Sequence, residues 1–172
     1  MLRVKSIWSR AKQMQTPPSK LVPFETIETW RKALAPCCLV MTNGCFDLLH
    51  VGHVRYLQQA KALGDILWVG INSDRSVQEL KGKNRPLNSQ EDRAEVLGAL
   101  AYVDFITIFD EMRCDKLITR GKPDIYVKGG DYTPENLDPS ELAALKRVGA
   151  KIQILPLVPG RSTTALIERM NS

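Results

Sequence analysis

The sequence lacks long apolar runs and any regular cysteine pattern. No stretch approaches the roughly 20 apolar residues of a membrane-spanning helix, and the N-terminus lacks the apolar centre of a signal peptide. The four cysteines form no CxxC motif, and the adjacent Cys37 and Cys38 are poor disulfide partners. These absences argue against a membrane protein and against a disulfide-stapled secreted domain. We therefore expect a cytoplasmic protein with reduced thiols and no membrane partner.

Acidic residues are missing from the first 24 positions, which hold five basic ones. Those five account for the net charge of +5, because residues 25–172 hold 19 basic and 19 acidic residues. This neutral part has no basic stripe interleaved with aromatic residues, so we expect no nucleic-acid partner. We interpret residues 1–23 as a basic, flexible extension and residues 24–172 as one domain. An arm that clasps another subunit, a start upstream of the usual one and an organellar transit peptide are the alternatives.

Apolar segments typical of buried strands alternate with segments typical of helices. Strands are predicted at 38–42, 66–72, 103–108, 124–128 and 151–155, and helices at 24–34, 51–63, 89–102, 111–120, 139–148 and from about 162. Strands this continuously apolar predict a five-stranded parallel sheet with helices on both faces, which is a Rossmann-like, doubly wound α/β fold. In such sheets ligands bind beyond the carboxyl ends of the strands.

Histidine occurs only twice, at His50 and His53. Both lie where the first predicted strand turns through Gly44 into a helix that opens near Val51. The free N–H groups and the dipole of a helix start favour anions, and two imidazoles three residues apart add donors on the same side. The plainer interpretation is two ordinary surface histidines. Metal ligation is disfavoured because no further histidine or cysteine pair completes a ligand set, so we expect no metal ligand from protein side chains.

Polar clusters follow the predicted strands, and parallel strands bring their carboxyl ends to one edge of a sheet. Candidate ligand-binding residues at this edge are Thr42, Asn43, Gly44, Cys45, Phe46, Asp47, Gly52, Asn72, Asp74, Lys83, Arg85, Lys128, Gly129, Gly130, Asp131, Tyr132, Ser162, Thr163 and Thr164, beside the candidate catalytic residues His50, His53 and Lys81. We expect Lys81, Lys83 and Arg85 to supply mobile cationic donors from a glycine-containing loop, the alternative being a solvated charge cluster. Ser162 and Thr163 fit helix capping as readily as phosphate binding.

These candidates are rich in phosphate donors and poor in nucleophiles. Cys45 is the only plausible covalent residue, yet no base is placed beside it, and packing behind the loop suits it better. Transfer between phosphates suits such a site, because there the protein positions the reactants and neutralises developing charge. His50 and His53 would then hold a triphosphate.

Two of these segments resemble a known superfamily. The run from Asn43 to His53 resembles the HxGH signature of the cytidylyltransferase-like nucleotidyltransferases, and residues 160–164 resemble their C-terminal Ser-Thr-Thr motif. Within that superfamily, Asn43-Gly44-Cys45, the stretch 80–86 and the block 128–132 resemble the adenylyltransferases that act on D-glycero-β-D-manno-heptose 1-phosphate. The segment 133–139 departs from their pattern.

The resemblance implies that ATP and heptose 1-phosphate give ADP-heptose and pyrophosphate, with Mg²⁺ accompanying ATP, as a step towards lipopolysaccharide core. It also implies that a separate sugar kinase acts upstream. We further expect a homo-oligomer, a dimer or larger. The alternatives are a CTP-dependent cytidylyltransferase of the same fold, acting on glycerol 3-phosphate or a similar alcohol phosphate, and a non-catalytic nucleotide-binding module.

Overall fold

The computed structural model describes residues 20–130 and 136–156. These residues form strands β1 (Leu39–Gly44), β2 (Ile66–Asn72), β3 (Phe105–Phe109), β4 (Ile125–Gly129) and β5 (Lys151–Leu155). They also form helices α1 (Ile27–Ala33), α2 (Val51–Lys61), α3 (Asp74–Lys81), α4 (Gln90–Gly98), α5 (Asp115–Gly121) and α6 (Pro139–Val148), with a short 3-10 turn at Phe24–Thr26. The expected alternation of strands and helices is confirmed.

The five strands form one parallel sheet in the order β3-β2-β1-β4-β5. The chain moves outward in one direction from β1 through β2 to β3, and then returns to pair β4 on the other side of β1. The strand order therefore reverses between β1 and β4, which is where such sheets open a crevice for ligands. The expected five-stranded Rossmann-like sheet is confirmed.

Helices cover both faces of the sheet because successive residues of a strand point to opposite sides. Leu39 and Met41 of β1 belong to a buried apolar cluster with residues of α1, α5 and α6. Val40, between them, belongs to a second cluster with residues of α2 and α4. The second cluster also includes Phe46, which lies just beyond the carboxyl end of β1. No helix among the described residues has the length and apolar character to cross a bilayer.

Two of the expected helix boundaries are wrong. The helix expected at 111–120 begins at Asp115. The Glu111 carbonyl instead accepts hydrogen bonds from the side chains of Ser76 (3.0 Å) and Asn72 (3.4 Å), which ties this segment to the β2–α3 turn. The helix expected at 89–102 ends at Gly98.

The segment just before the 3-10 turn packs against β3. The Lys20 ammonium donates hydrogen bonds to the carbonyls of Val103 (2.8 Å) and Leu100 (3.2 Å). The Val22 N–H donates to the Ile106 carbonyl at 2.7 Å, and the Val22 side chain is buried. The domain boundary expected at residue 24 is therefore too late, because Lys20 and Val22 belong to the folded domain. Residues 1–19 lie outside the described part of the chain.

This packing predicts different outcomes for two shortened proteins. A protein that begins at Ser19 should keep the melting temperature of the full chain, because it retains every contact of Lys20 and Val22. A protein that begins at Phe24 loses a buried valine, worth about 1.5–3 kcal/mol, and should melt lower by about 5 °C or more. Thermal unfolding followed by circular dichroism compares them. Equal melting temperatures would show that these contacts do not stabilise the domain.

Candidate active site

The two histidines lie together at the start of α2. His50 is the N-cap residue, with an extended backbone (φ −138°, ψ 169°), and His53 lies in the first turn. Their rings stack with centroids 3.9 Å apart. Phe46 is buried and packs edge-on to His53 at a centroid distance of 5.4 Å, so it supports the imidazole from behind. The pair thus presents two rings at a helix N-terminus, where the helix dipole favours anions.

His53 is held as a neutral imidazole. Burial, reinforced by the charges of His50 and Lys81, lowers the pKa of His53 from 6.5 to about 4. Its Nδ1 accepts a hydrogen bond from the His50 N–H at 3.4 Å, so the neutral ring carries its proton on Nε2. His53 can therefore donate a hydrogen bond to an anion through Nε2 near neutral pH.

This shift makes His53 a source of acid sensitivity. The folded-state pKa lies below the unfolded value, so its stabilising effect is present above about pH 6.5 and is lost as pH falls towards 4. We expect the free energy of unfolding to fall more steeply over that range in the wild type than in His53→Asn, which keeps an acceptor near the position of Nδ1. Urea denaturation at several pH values gives the difference. Parallel curves would contradict the assigned shift.

Lys81 is the last residue of α3, and its side chain is exposed. The expectation that Lys81 lies in a loop is therefore wrong. Burial is the largest influence on the pKa of His53, which it lowers, and on the pKa of Cys45, which it raises. The charge of Lys81 acts to lower both pKa values. The charge of Lys81 therefore acts on His53 and Cys45 from the neighbouring helix. Lys83 is also exposed and lies one residue beyond Gly82, whose positive φ of 95° ends the helix.

Lys81 and Lys83 form a matched pair for testing which cation serves the site. For the adenylyl transfer that the sequence resemblance implies, Lys81→Ala should lower kcat and kcat/KM by similar factors and leave the KM for ATP nearly unchanged, because a flexible lysine makes its strongest contact as charge develops. Lys83→Ala should change these constants less. Steady-state kinetics with ATP varied at fixed sugar phosphate separates the two. A larger loss for Lys83→Ala would show that the wrong lysine has been assigned.

Arg85 is not a mobile donor, which corrects the expectation for this residue. Its Nε donates to Asp47 Oδ2 at 2.6 Å, and the Asp47 side chain is almost fully buried. The other oxygen of Asp47 accepts hydrogen bonds from the N–H groups of Leu87 (2.8 Å) and Asn88 (3.1 Å). Burial alone would raise the pKa of Asp47, but these hydrogen bonds outweigh it and lower the pKa. Asp47 and Arg85 therefore fasten the segment after Gly82 to the loop that joins β1 to α2.

Arg93 in α4 is a central residue of the site that sequence reasoning missed. Its buried guanidinium donates to the carbonyls of Cys45 (2.6 Å) and Asn72 (2.7 Å) and to Asp74 Oδ1 (2.8 Å), and its Nε donates to the Asn88 carbonyl (3.2 Å). It thus joins the segments that follow β1 and β2 to the start of α3. Helical spacing offered a signal, since Arg93 lies four residues before the buried Leu97 on the same face.

Several other candidates at this edge contact neighbouring side chains. Asn72 is buried and donates to Ser76 Oγ at 2.7 Å, and Thr42 is bonded to the Tyr56 hydroxyl at 2.7 Å. The Cys45 thiol lies 3.9 Å from Asn72 Oδ1, and burial raises its pKa. A thiol held protonated is a poor nucleophile, which supports the expected packing role for Cys45.

The carboxyl end of β4 approaches the same edge. Lys128 is buried against Asn43 and Glu141, and Gly129 leaves room for the Tyr56 ring, which would lie 3.1 Å from an added Cβ. Gly130 has a positive φ of 83° and donates its N–H to the Leu155 carbonyl at 2.9 Å. Five candidates lie outside the described residues: Asp131, Tyr132, Ser162, Thr163 and Thr164.

The carboxylates of this edge are poorly suited to bind a metal ion. Asp47 is committed to Arg85 and Asp74 to Arg93. Across residues 20–130 and 136–156, no three histidine, cysteine or acidic side chains converge as a metal site would require. Magnesium is usually held by one or two carboxylates together with substrate phosphates. Because Asp47 and Asp74 are each paired with an arginine, these two described carboxylates do not fit a resident magnesium site.

Comparison with known proteins shows which family the chain resembles. The family model for cytidylyltransferase-like proteins matches residues 41–169. Bifunctional protein HldE of Syntrophotalea carbinolica is 52% identical over 132 residues, which are 77% of this chain and 26% of that protein. HldE of Campylobacter fetus is also 52% identical over 132 residues, with 77% and 28% covered. The chain thus spans about a quarter of the length of the curated relatives it matches.

Two solved structures share the fold. The lipopolysaccharide core biosynthesis protein from Thermoplasma volcanium is 32% identical, with a TM-score of 0.58, covering 71% of this chain and 97% of its own. A pantoate-beta-alanine ligase from Francisella tularensis, complexed with an ATP ligand and beta-alanine, is 16% identical with a TM-score of 0.56, covering 84% of this chain and 68% of its own. The second likeness shows the fold alone. The family model, which matches more than half of the chain, shows that the chain belongs to the cytidylyltransferase-like family.

Proposed function

We propose that this protein transfers the adenylyl group of ATP to D-glycero-β-D-manno-heptose 1-phosphate, giving ADP-heptose and pyrophosphate. The observation that carries the reaction type is the stacked pair His50 and His53 at the start of α2, with the charge of Lys81 acting on His53. This is a set of phosphate donors without an activated nucleophile, and it suits direct transfer between phosphates.

The substrate is inferred from relatives and from sequence blocks. HldE proteins are 52% identical over the shared region, and a relative with 32% identity is described as a lipopolysaccharide core biosynthesis protein. The stretch 80–86 and the block 128–132 resemble heptose 1-phosphate adenylyltransferases. Both lines favour a heptose phosphate as the acceptor and ATP as the donor.

In this reaction an oxygen of the sugar phosphate attacks the α-phosphorus of ATP in line. The new bond joins that oxygen to the α-phosphorus, and the bond from the α-phosphorus to the bridging oxygen of pyrophosphate breaks. Negative charge develops on the leaving pyrophosphate, where the Nε2–H of neutral His53, the imidazole of His50 and the Lys81 ammonium would stabilise it. ATP enters as its magnesium complex, so the ion arrives with the substrate.

A CTP-dependent reaction is the second candidate, because the matched family is described as cytidylyltransferase-like. The two are separated by a panel of nucleotides (ATP, CTP, GTP and UTP) against heptose 1-phosphate and glycerol 3-phosphate, with pyrophosphate release as the readout. We expect turnover with ATP and heptose 1-phosphate at least tenfold above any other pair. The double variant His50→Ala, His53→Ala serves as the background control. Preference for CTP with glycerol 3-phosphate would establish the alternative.

A further inference from the structure

A chain of buried polar groups lies at the switch point between β1 and β4. Asn43 Oδ1 accepts hydrogen bonds from the Tyr126 hydroxyl (2.7 Å) and the Lys128 ammonium (2.8 Å). Lys128 is also paired with Glu141 Oε2 at 3.1 Å, and the Cys114 thiol lies 2.9 Å from the Tyr126 oxygen and 3.2 Å from Glu141 Oε1. We call Asn43, Cys114, Tyr126, Lys128 and Glu141 the switch-point cluster.

The chemistry of lysine fixes the orientation of the Asn43 amide. An ammonium group can only donate, so the amide atom that faces Lys128 must be the oxygen. The two donors occupy both lone pairs of that oxygen. The Nδ2–H₂ group is thereby directed away from the cluster, and Nδ2 has no hydrogen-bond partner among residues 20–130 and 136–156. Asn43 is only partly buried, so this donor remains accessible.

The burial of the cluster indicates that orientation is its main effect. Tyr126 is 0% exposed, Glu141 4% and Lys128 8%. A buried ion pair adds little net stability, because the cost of removing two charges from water offsets their attraction. It does restrict geometry, since neither charge can leave its partner without a large penalty. The Lys128–Glu141 pair therefore holds the ammonium in position to bond the Asn43 oxygen.

We propose that Asn43 donates a hydrogen bond from Nδ2 to a phosphoryl oxygen at the reacting centre, and that Tyr126 and Lys128 are positioning residues that hold its amide in that orientation. Asn43 lies in the crevice between β1 and β4, near the end of the strand that leads to His50 and His53. The Nδ2–H₂ group can only donate, and unprotonated phosphate oxygens can only accept, so the two are complementary. The inference rests on the proposed adenylyl transfer for the identity of the phosphate.

Asn43→Asp tests the Nδ2–H₂ donor without removing the oxygen that the other residues of the cluster bond. Aspartate keeps an oxygen to accept from Tyr126 and Lys128 but loses the N–H₂ group. We expect kcat/KM to fall about 10- to 100-fold, the range for losing a hydrogen bond to a charged group, while the melting temperature stays within about 3 °C of the wild type. The uncharged Asn43→Ala should lower kcat/KM in the same direction, which excludes repulsion by the new carboxylate as the sole cause. A higher KM for ATP identifies a phosphate of ATP as the acceptor of this hydrogen bond, and a higher KM for the sugar phosphate identifies the sugar phosphate.

Tyr126→Phe tests positioning separately from stability. In the wild type it should lower kcat/KM about three- to tenfold, because one of the two donors that hold the amide is lost. In the Asn43→Asp background it should change kcat/KM less than twofold, because the donor being positioned is already absent. Equal factors in both backgrounds would assign Tyr126 a purely structural role and overturn its part in the inference.

Calorimetric binding of magnesium–ATP and of the sugar phosphate keeps this inference distinct from the proposed function. Turnover by the wild type with unchanged turnover and binding in Asn43→Asp would overturn the inference and leave the function intact. Absence of turnover in the wild type would defeat the proposed function. In that case, weaker binding of either phosphate ligand to both Asn43→Asp and Asn43→Ala would still support the donor role, and unchanged binding would overturn it.

Discussion

His53→Ala is expected to lower kcat by about 100- to 1000-fold at saturating ATP and magnesium, and His50→Ala should have an effect of the same order. Each variant removes a preorganised donor whose contact strengthens as charge develops on pyrophosphate, a loss of about 3–4 kcal/mol in transition-state stabilisation. Steady-state kinetics on both variants measures it. Their rings stack at 3.9 Å, so the double variant should lose less than the product of the two single effects.

A matched control comes from the same helix. Arg55 is exposed on α2, two residues beyond His53. Arg55→Ala should retain nearly full kcat. Its melting temperature should be similar to those of the histidine variants. If His50→Ala and His53→Ala both turn over at near-normal rates, the histidine pair does not stabilise the leaving group and the assigned chemistry is wrong.

Arg93→Met is expected to destabilise the protein by about 3–5 kcal/mol and to impair turnover in whatever fraction remains folded. The substitution leaves the carbonyls of Cys45 and Asn72 and the carboxylate of Asp74 without their donor. Urea denaturation gives the free energy of unfolding. Arg93→Lys keeps the charge but not the planar fork, so it should fall between the wild type and Arg93→Met.

Arg75 provides the control for Arg93. It is also paired with an aspartate, Asp110, but at 4.0 Å and with both side chains 69% exposed. An exposed pair contributes little, so Arg75→Met should change the free energy of unfolding by less than about 1 kcal/mol. A similar loss for Arg75→Met and Arg93→Met would mean that the buried hydrogen bonds of Arg93 do not account for its effect.

The fold was predictable because it depends on periodicity. Continuous apolar strands such as β2, whose seven residues are all buried, can be recognised without knowing their neighbours, and their alternation with helices leads to a parallel sheet. The position of the histidines at a strand-to-helix turn was predictable for the same reason. The ends of the helices were less predictable. The start of α5, for example, depends on hydrogen bonds of Glu111 to a segment about 35 residues away in sequence.

The division of the polar residues into ligand donors and supports was not predictable. Arg85 and Lys81 look alike in the sequence, yet Arg85 is paired with the buried Asp47 while Lys81 remains exposed. Glu141 likewise resembles a surface residue of α6, although helical spacing places it on the buried face with Ala144 and Leu145. Such pairings join residues 13 to 48 positions apart. They depend on the assembled sheet, which local patterns do not specify.

The central claim is that an acceptor phosphate attacks the α-phosphorus of ATP and expels pyrophosphate. Phosphorus-31 NMR of the wild-type protein with magnesium–ATP and heptose 1-phosphate tests it most directly. We predict that the resonances of ATP and of the sugar phosphate decline together, while pyrophosphate and a coupled pair of diphosphate resonances from ADP-heptose appear in equal amounts. Release of inorganic phosphate and ADP would contradict the account. So would an unchanged spectrum with these substrates, if a second sample with CTP and glycerol 3-phosphate reacts.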